Sequence, residues 1–355
     1  MKLSMKNKRK ILITGHTGFK GSWLALWLKV RGHDVYGVSL PPLKESLYSL
    51  ARISEVVSGE IYLDIRDEDK LTLWAKEIEP EIVIHFAAQP LVLESYKNPR
   101  FTLETNVNGT FNVLDKISSL PSTISTLIIT TDKVYKNRNL SNVYKESDPL
   151  GGKDIYSASK AMADLLTQSW ISSFANKPIV IARAGNVIGG GDFNKNRIVP
   201  DIYRSIRNQS VLKVRSPNSI RPWQHVLDCL NGYFAAIDDS IERNRSEIWN
   251  FGPEFDSFKT VDDLILKLAE ELNITITKVN VDATVSETDF LALDSTNANL
   301  ELNWKNLLNF DANIRLVGEW YKEFVSGADA RNITEKQIIE YEELTKKQDI
   351  LRRYI

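Results

Sequence analysis

Tyr156 and Lys160 stand four residues apart at the head of an amphipathic segment that continues through Met162, Leu165, Leu166 and Trp170. On a helix that spacing puts the phenol and the ammonium on one face. A Tyr phenol, with an ordinary pKa near ~10, takes a proton at neutral pH only where a positive neighbour supports the phenolate. The same pair is common on solvated helices. Thr131-Asp132-Lys133 follows an apolar run at 126–130, which places three polar groups at the carboxyl end of a strand, where open α/β sheets bind ligands. An Asp beside a Lys serves as an acid/base pair once burial and charge tune both; a capping Asp beside an exposed Lys fits the pattern equally well. Gly15-His16-Thr17-Gly18-Phe19-Lys20-Gly21 lies between an apolar run at 10–14 and a strongly apolar segment. Glycines there let the backbone approach a pyrophosphate, and a helix N-terminus presents unpaired N–H groups to it. That turn is what raises the Tyr/Lys pair from a surface feature to a catalytic candidate.

Further candidates depend on these. Asp64, in Leu63-Asp64-Ile65, ends the third apolar run and either accepts from an adenine amino group or caps the helix opening at Glu68. The second run ends Val38-Ser39-Leu40, without the acid that would bond ribose hydroxyls and repel a 2′-phosphate. Asn186 offers an amide, and Arg221 a forked guanidinium suited to a diphosphate, with Arg197 as a second cation. The four histidines, His16, His33, His85 and His225, show no metal-ligand spacing, so no metal is assigned.

The elements that must position these groups read as follows. Strands are expected at 10–14, 34–39, 60–63, 82–87, 126–130 and 178–183, alternating with helical segments at 23–30, 71–78, 105–117 and 157–173. That alternation predicts an α/β, doubly wound parallel sheet. After about residue 186 the pattern turns irregular, with loops near 189–191 and 216–218, a strand at 248–251 and a helix at 261–272. The expected division is a dinucleotide-binding part over 1–185 with a return segment near 245–272, a smaller interleaved substrate lobe over 186–330, and a last helix over 331–355 opened by the capping-box pattern Thr334 to Gln337.

Composition narrows the classes. Of 355 residues 43% are hydrophobic and 26% charged, which is ordinary globular usage. A net charge of −1, from 45 basic and 46 acidic residues, leaves no field for polyanions, so nucleic acid is not an expected partner. No apolar run reaches membrane-spanning length, and a lone Cys229 cannot form an intramolecular disulfide. The expectation is a cytoplasmic protein without a membrane partner.

Taken together, the glycine turn, Asp64, Phe86-Ala87-Ala88-Gln89-Pro90, Asn106 to Thr110, Thr131-Asp132-Lys133 and the Tyr156/Lys160 pair resemble the extended short-chain dehydrogenase/reductases. More narrowly, residues 15–24, 148–152, 183–192, 197–201 and Arg221-Pro222-Trp223-Gln224-His225 resemble the CDP-glucose 4,6-dehydratases; the resemblance spans roughly 10–325. It implies a Rossmann-type fold, a small-molecule nucleotide-sugar substrate, a homodimer or dimer of dimers, and NAD held by Gly15, Thr17, Gly18, Phe19, Lys20, Gly21, Asp64, Ile65, Ala87, Ala88, Gln89 and Asn106 together with Tyr156 and Lys160. By the same resemblance Tyr156 takes the proton of the sugar 4-hydroxyl, with Lys160 and Thr131 in support. Asp132 protonates the departing 6-hydroxyl, and Lys133 lines the site where many relatives carry a carboxylate base. Asn186, Arg197, Arg221 and His225 would hold the substrate. Residues 136–144 are shorter and plainer than the aromatic stretch of the family.

Rival readings are a UDP-N-acetylglucosamine-type 4,6-dehydratase, a nucleotide-sugar 4-epimerase, which has no need of Asp132-Lys133, and an NAD-sensing regulator, which should have lost Tyr156 or Lys160.

Overall fold

The computed structural model describes residues 7–136, 143–281 and 290–352. Seven strands, β1 (Lys10–Thr14), β2 (Asp34–Ser39), β3 (Gly59–Tyr62), β4 (Ile82–His85), β5 (Ser125–Ile129), β6 (Ile179–Ala184) and β7 (Ile248–Phe251), form one sheet in the order β7-β6-β5-β4-β1-β2-β3. Every pairing is parallel. The chain starts in the middle at β1, builds outward through β2 and β3, then crosses to β4 and builds the other way. The carboxyl ends of β1 and β4 therefore flank the switch point, where a doubly wound sheet opens its binding crevice.

Successive side chains on a strand face opposite ways. Ile11 and Ile13 of β1, with Ile82 and Ile84 of β4, join the core that holds Trp23, Trp27 and Leu227. Leu12 and Val83 enter the opposite core with Leu71, Val113 and Ile117. Helices covering both faces account for the apolar runs.

The helices are α1 (Phe19–Val30), α2 (Glu68–Ile78), α3 over residues 99–117 with two π-helical turns, Glu104–Asn108 and Val113–Ile117, and α4 (Ile155–Ser173). Asp67, not Asp64, caps α2 through Lys70 N–H. Beyond the sheet come α5 (Ile198–Arg207), α6 (Val226–Arg243), α7 (Val261–Leu272), α8 (Phe310–Val325) and α9 (Ala330–Arg352). Short strand pairs brace the loops between them: Ile220–Pro222 with Phe258–Thr260, and Gln224–His225 with Val187–Ile188.

The capping box expected at Thr334 is not the start of α9. Asp329 accepts from Arg331 N–H (3.0 Å) and Asn332 N–H (3.1 Å) one turn earlier. Thr334 instead lies inside the helix, buried, accepting from Trp320 Nε1–H at 3.0 Å, while Gln337 donates to the Leu316 carbonyl at 2.8 Å. Ile338 and Tyr341 pack inward; Leu344 is exposed. No described helix is long and apolar enough to cross a membrane.

Candidate active site

Asp154 caps α4 by accepting from Ser157 N–H, so the helix begins at Ile155 and Tyr156 falls in its first turn. That start fixes Tyr156 and Lys160 on one face against the end of β5. Both are buried, and Lys160 Nζ donates to the Ile129 carbonyl at 2.7 Å. Burial pushes the Tyr156 phenol up to about 12, opposed by a hydrogen bond with Thr131. Burial lowers Lys160 to about 8, Asp164 opposing the shift and Lys20 adding to it. A phenol so placed becomes a base only when further positive charge arrives beside it.

Thr131 Oγ1 donates to Asp132 Oδ1 at 2.8 Å. The other carboxyl oxygen, Oδ2, is buried without a hydrogen-bond partner in the protein. Burial raises the Asp132 pKa, against the lowering influence of Lys133, Thr131 and Arg221. A raised pKa moves this carboxyl in the direction a general acid requires. Its place exists because residue 185 is glycine: a Cβ there would lie 2.2 Å from Oδ2 and 2.6 Å from Cγ. Lys133 is half-buried on the same turn.

The residues fit a dinucleotide at the other end. Gly15 has φ of +79°, and a Cβ on it would meet Ala87 N at 2.7 Å; a Cβ on Gly21 would meet the Gly15 carbonyl at 2.3 Å. No side chain caps the first turn of α1, whose N–H groups therefore face the turn. Thr17 Oγ1 shares a 2.7 Å hydrogen bond with Ser39 Oγ and donates to the Leu40 carbonyl. Asp64 is locked by Arg66, whose Nε donates at 3.0 and 3.1 Å and Nη2 at 2.8 Å. This pairing holds the Asp64 carboxylate below its usual range.

One cleft of about 880 Å³ collects nearly all of the expected residues. Gly15, Thr17 to Gly21, Asp64, Ile65, Ala87, Ala88 and Gln89 line one part; Thr131, Asp132, Lys133, Tyr156 and Lys160 its centre; Asn186, Arg197 and Arg221 the rest. Arg197 pairs with Asp192 at 3.1 Å.

Two expected residues do not line it. His225 is fully buried beside Trp23 and caps α6 through Leu227 N–H, with its ring held neutral by burial, so its place is structural rather than substrate-facing. Asn106 sits behind Gln89, accepting from its N–H (2.8 Å) and donating to its carbonyl (3.1 Å) and to Ser159 Oγ (2.9 Å). It acts on the cleft through Gln89.

Sequence reasoning missed Asn194, Asn196, Lys213 and Arg215, which also line the cleft. Lys213, on the strand Leu212–Val214, and Arg215, just past its end, flank buried Val214, and two cations at a period of two were the available signal. Of the 136–144 stretch, residues 137–142 lie outside the described residues. Among the described residues no group of three His, Cys, Asp or Glu side chains could hold a metal ion.

Comparison with known proteins follows the same lines. The family model described as GDP-mannose 4,6 dehydratase matches residues 12–317. A CDP-glucose 4,6-dehydratase of Salmonella typhimurium is 37% identical over 358 residues, 96% of this chain and 98% of that protein. A probable dTDP-glucose 4,6-dehydratase of Sinorhizobium fredii is 28% identical, covering 88% of this chain and 93% of that one. Two solved structures share the fold. The UDP-glucose 4-epimerase of Stenotrophomonas maltophila, with bound NAD, has a TM-score of 0.80 at 20% identity, over 90% of this chain and 100% of that one. The dTDP-glucose 4,6-dehydratase of Bacillus anthracis, in complex with NAD, has a TM-score of 0.74 at 22% identity, over 89% and 97%.

Proposed function

This chain belongs to the GDP-mannose 4,6-dehydratase family, and from that membership we propose that it is an NAD-dependent hydro-lyase converting CDP-glucose to CDP-4-keto-6-deoxyglucose. The observation that carries the reading is Asp132, a buried carboxyl with its pKa raised by burial and its Oδ2 without a partner in the protein, set against Gly185 in the same cleft as Tyr156 and Lys160. An epimerase needs the Tyr/Lys pair but no acid for a departing hydroxyl. Similarity to the Salmonella protein over nearly the whole chain supports cytidine diphosphate as the carrier.

The glycine turn, Asp64 and Ile65 would hold NAD, and Lys160 its nicotinamide end. Residues 40–43 after β2 carry neither an acid for ribose hydroxyls nor a basic group, and Lys44 is the first charged side chain beyond them. Bound there, NAD would supply a hydride acceptor for carbon 4 of the sugar and the donor for carbon 6, with no net oxidation. Tyr156 accepts the 4-hydroxyl proton, and Thr131 bonds that oxygen. The 4-ketone acidifies the carbon-5 proton; Lys133 lines the cleft on the turn beside Asp132 and serves as its base only in the neutral form. Asp132 gives its proton to the 6-hydroxyl, which leaves as water. Arg221 and Arg197 provide donors for the diphosphate, and Asn186 an amide for the sugar.

Mass spectrometry on a panel of nucleotide sugars with NAD tests this. CDP-glucose should give a product lighter by one water with no net NADH. An unchanged mass with CDP-glucose, or water loss from a UDP-sugar alone, overturns the assignment.

A further inference from the structure

The catalytic stripe on α4 does not end at Lys160. Tyr156, Lys160, Asp164 and Gln168 follow at four-residue intervals, and Asp164 is fully buried. Its carboxylate accepts Arg183 Nε at 2.9 Å and Nη2 at 2.7 Å, Thr130 Oγ1 at 2.9 Å and Gln168 Nε2 at 2.7 Å. Arg183, on β6, is equally buried, and its Nη1 donates to Tyr135 Oη at 2.8 Å and to the Glu146 carbonyl at 3.0 Å. Tyr135 Oη donates in turn to Asn250 Oδ1 on β7, at 2.7 Å.

Two features give this network a direction. First, the last residue of β5 and the two that follow it each hold one member of the stripe: the Ile129 carbonyl holds Lys160, Thr130 holds Asp164, and Thr131 bonds Tyr156. Second, Thr131 and Tyr135 bracket the turn Asp132–Val134, so Arg183 grips the far end of the segment whose near end touches Tyr156. A buried carboxylate and guanidinium lose their water, and well-packed apolar residues commonly stabilise a fold as well or better. Packing alone is therefore a weak reason for a pair this deep.

We propose that Asp164 is a positioning residue: paired with Arg183, it fixes the turn carrying Thr131, Asp132 and Lys133 against α4, and it keeps a negative charge behind the Lys160 ammonium. The catalytic meaning of that role rests on the function proposed above; the geometry and the charge relation do not.

The groups facing Lys160 are Tyr156 and Asp164 on its own helix, the Ile129 carbonyl from β5, Lys20 from α1 and His85 from β4. His85 is buried, shares hydrogen bonds with Thr14 and Thr110, and is held neutral. Lys20 and burial act against the ammonium, and Asp164 acts for it.

The test needs no substrate for its first half. In protein labelled with ¹³Cε-lysine, the Lys160 resonance, assigned by its loss in Lys160→Met, should titrate near the value of about 8 set by its burial. In Asp164→Asn its midpoint should fall by about half a pH unit or more, because the charge that favours the ammonium is gone. A purely structural bridge leaves that midpoint unmoved. In turnover, Asp164→Asn should lose ~10-fold or more in kcat with KM nearly unchanged, and the alkaline limb of its pH profile should move the same way; Asp164→Glu should recover part of both. Tyr135→Phe keeps the carboxylate but frees the turn, so kcat should fall while the Lys160 midpoint stays. An unmoved midpoint in folded Asp164→Asn, or parental kcat in Tyr135→Phe, overturns the proposal. Should Asp164→Asn not fold, Tyr135→Phe decides alone. If the parent enzyme turns over no CDP-glucose, the function is wrong, and the titration still reads the charge relation.

Discussion

Replacing Gly185 with alanine adds one methyl group and, in the proposed mechanism, disables one step. The new Cβ would sit 2.2 Å from Asp132 Oδ2, 2.6 Å from its Cγ and 3.3 Å from its Cβ. Ordinary contact begins near ~3.4 Å, so the carboxyl must withdraw by about 1.2 Å or rotate out of the cleft. Backbone strain does not enter, since Gly185 is not among the residues with positive φ. A displacement near ~1 Å at a reacting group costs on the order of 10²-fold in rate, about 2.7 kcal/mol. Only the elimination should suffer, because Tyr156 and Lys160 lie on α4 and keep their places. Single-turnover absorbance with CDP-glucose should therefore show NADH on the enzyme rising at nearly the parental rate and decaying about a hundred times more slowly. The control is the same change in an Asp132→Ala background, where no carboxyl remains to be displaced and the added methyl should have little further effect. Parental water loss in Gly185→Ala, or an equal penalty in both backgrounds, would refute the argument that this glycine exists to admit the acid.

Other expectations are more direct. Tyr156→Phe should show neither NADH nor product with substrate bound, whereas Asp132→Asn should accumulate enzyme-bound NADH; losing one general acid or base costs ~10²–10⁴-fold, and equal behaviour of the two variants would dissolve the separation of roles. Met162 and Leu165 on α4, Phe111 on α3 and Phe174 just beyond α4 are exposed apolar side chains, as a homodimer built on paired α3 and α4 helices would require; Leu165→Glu should shift a dimer toward monomer in sedimentation, and a monomeric parent at micromolar concentration would count against it. Tyr341 Oη donates to buried Asp228 Oδ1 at 2.6 Å, pinning α9 to α6. Tyr341→Phe should lower stability by about 1–3 kcal/mol in denaturant titration, and an unchanged midpoint would show that Leu307 and Leu308 N–H satisfy that carboxyl unaided.

The parts of this molecule that were legible in its residues are those whose physical cause is local. Alternating apolar runs and amphipathic segments require a sheet covered on both faces, and β7 and α7 begin and end where their patterns place them. The glycine turn after β1 could only open α1, and a separation of four on a capped helix brings Tyr156 and Lys160 together whatever surrounds them. The start of α9 was misplaced because Thr334 and Gln337 spell a capping box, yet tertiary partners, Trp320 and the Leu316 carbonyl, claim both side chains. The remainder is set by contacts between residues far apart in the chain. Nothing near His225 says that its ring turns inward against Trp23, or near Asn106 that it braces Gln89 from behind. Arg183 meets Asp164 and Tyr135 only because β6 lies beside β5, and Gly185 matters only because that adjacency brings Asp132 against it. Spacing along a helix or strand is written in the order of the residues, whereas proximity between elements is decided by the order of strands in the sheet, and that order exists only once the chain has folded.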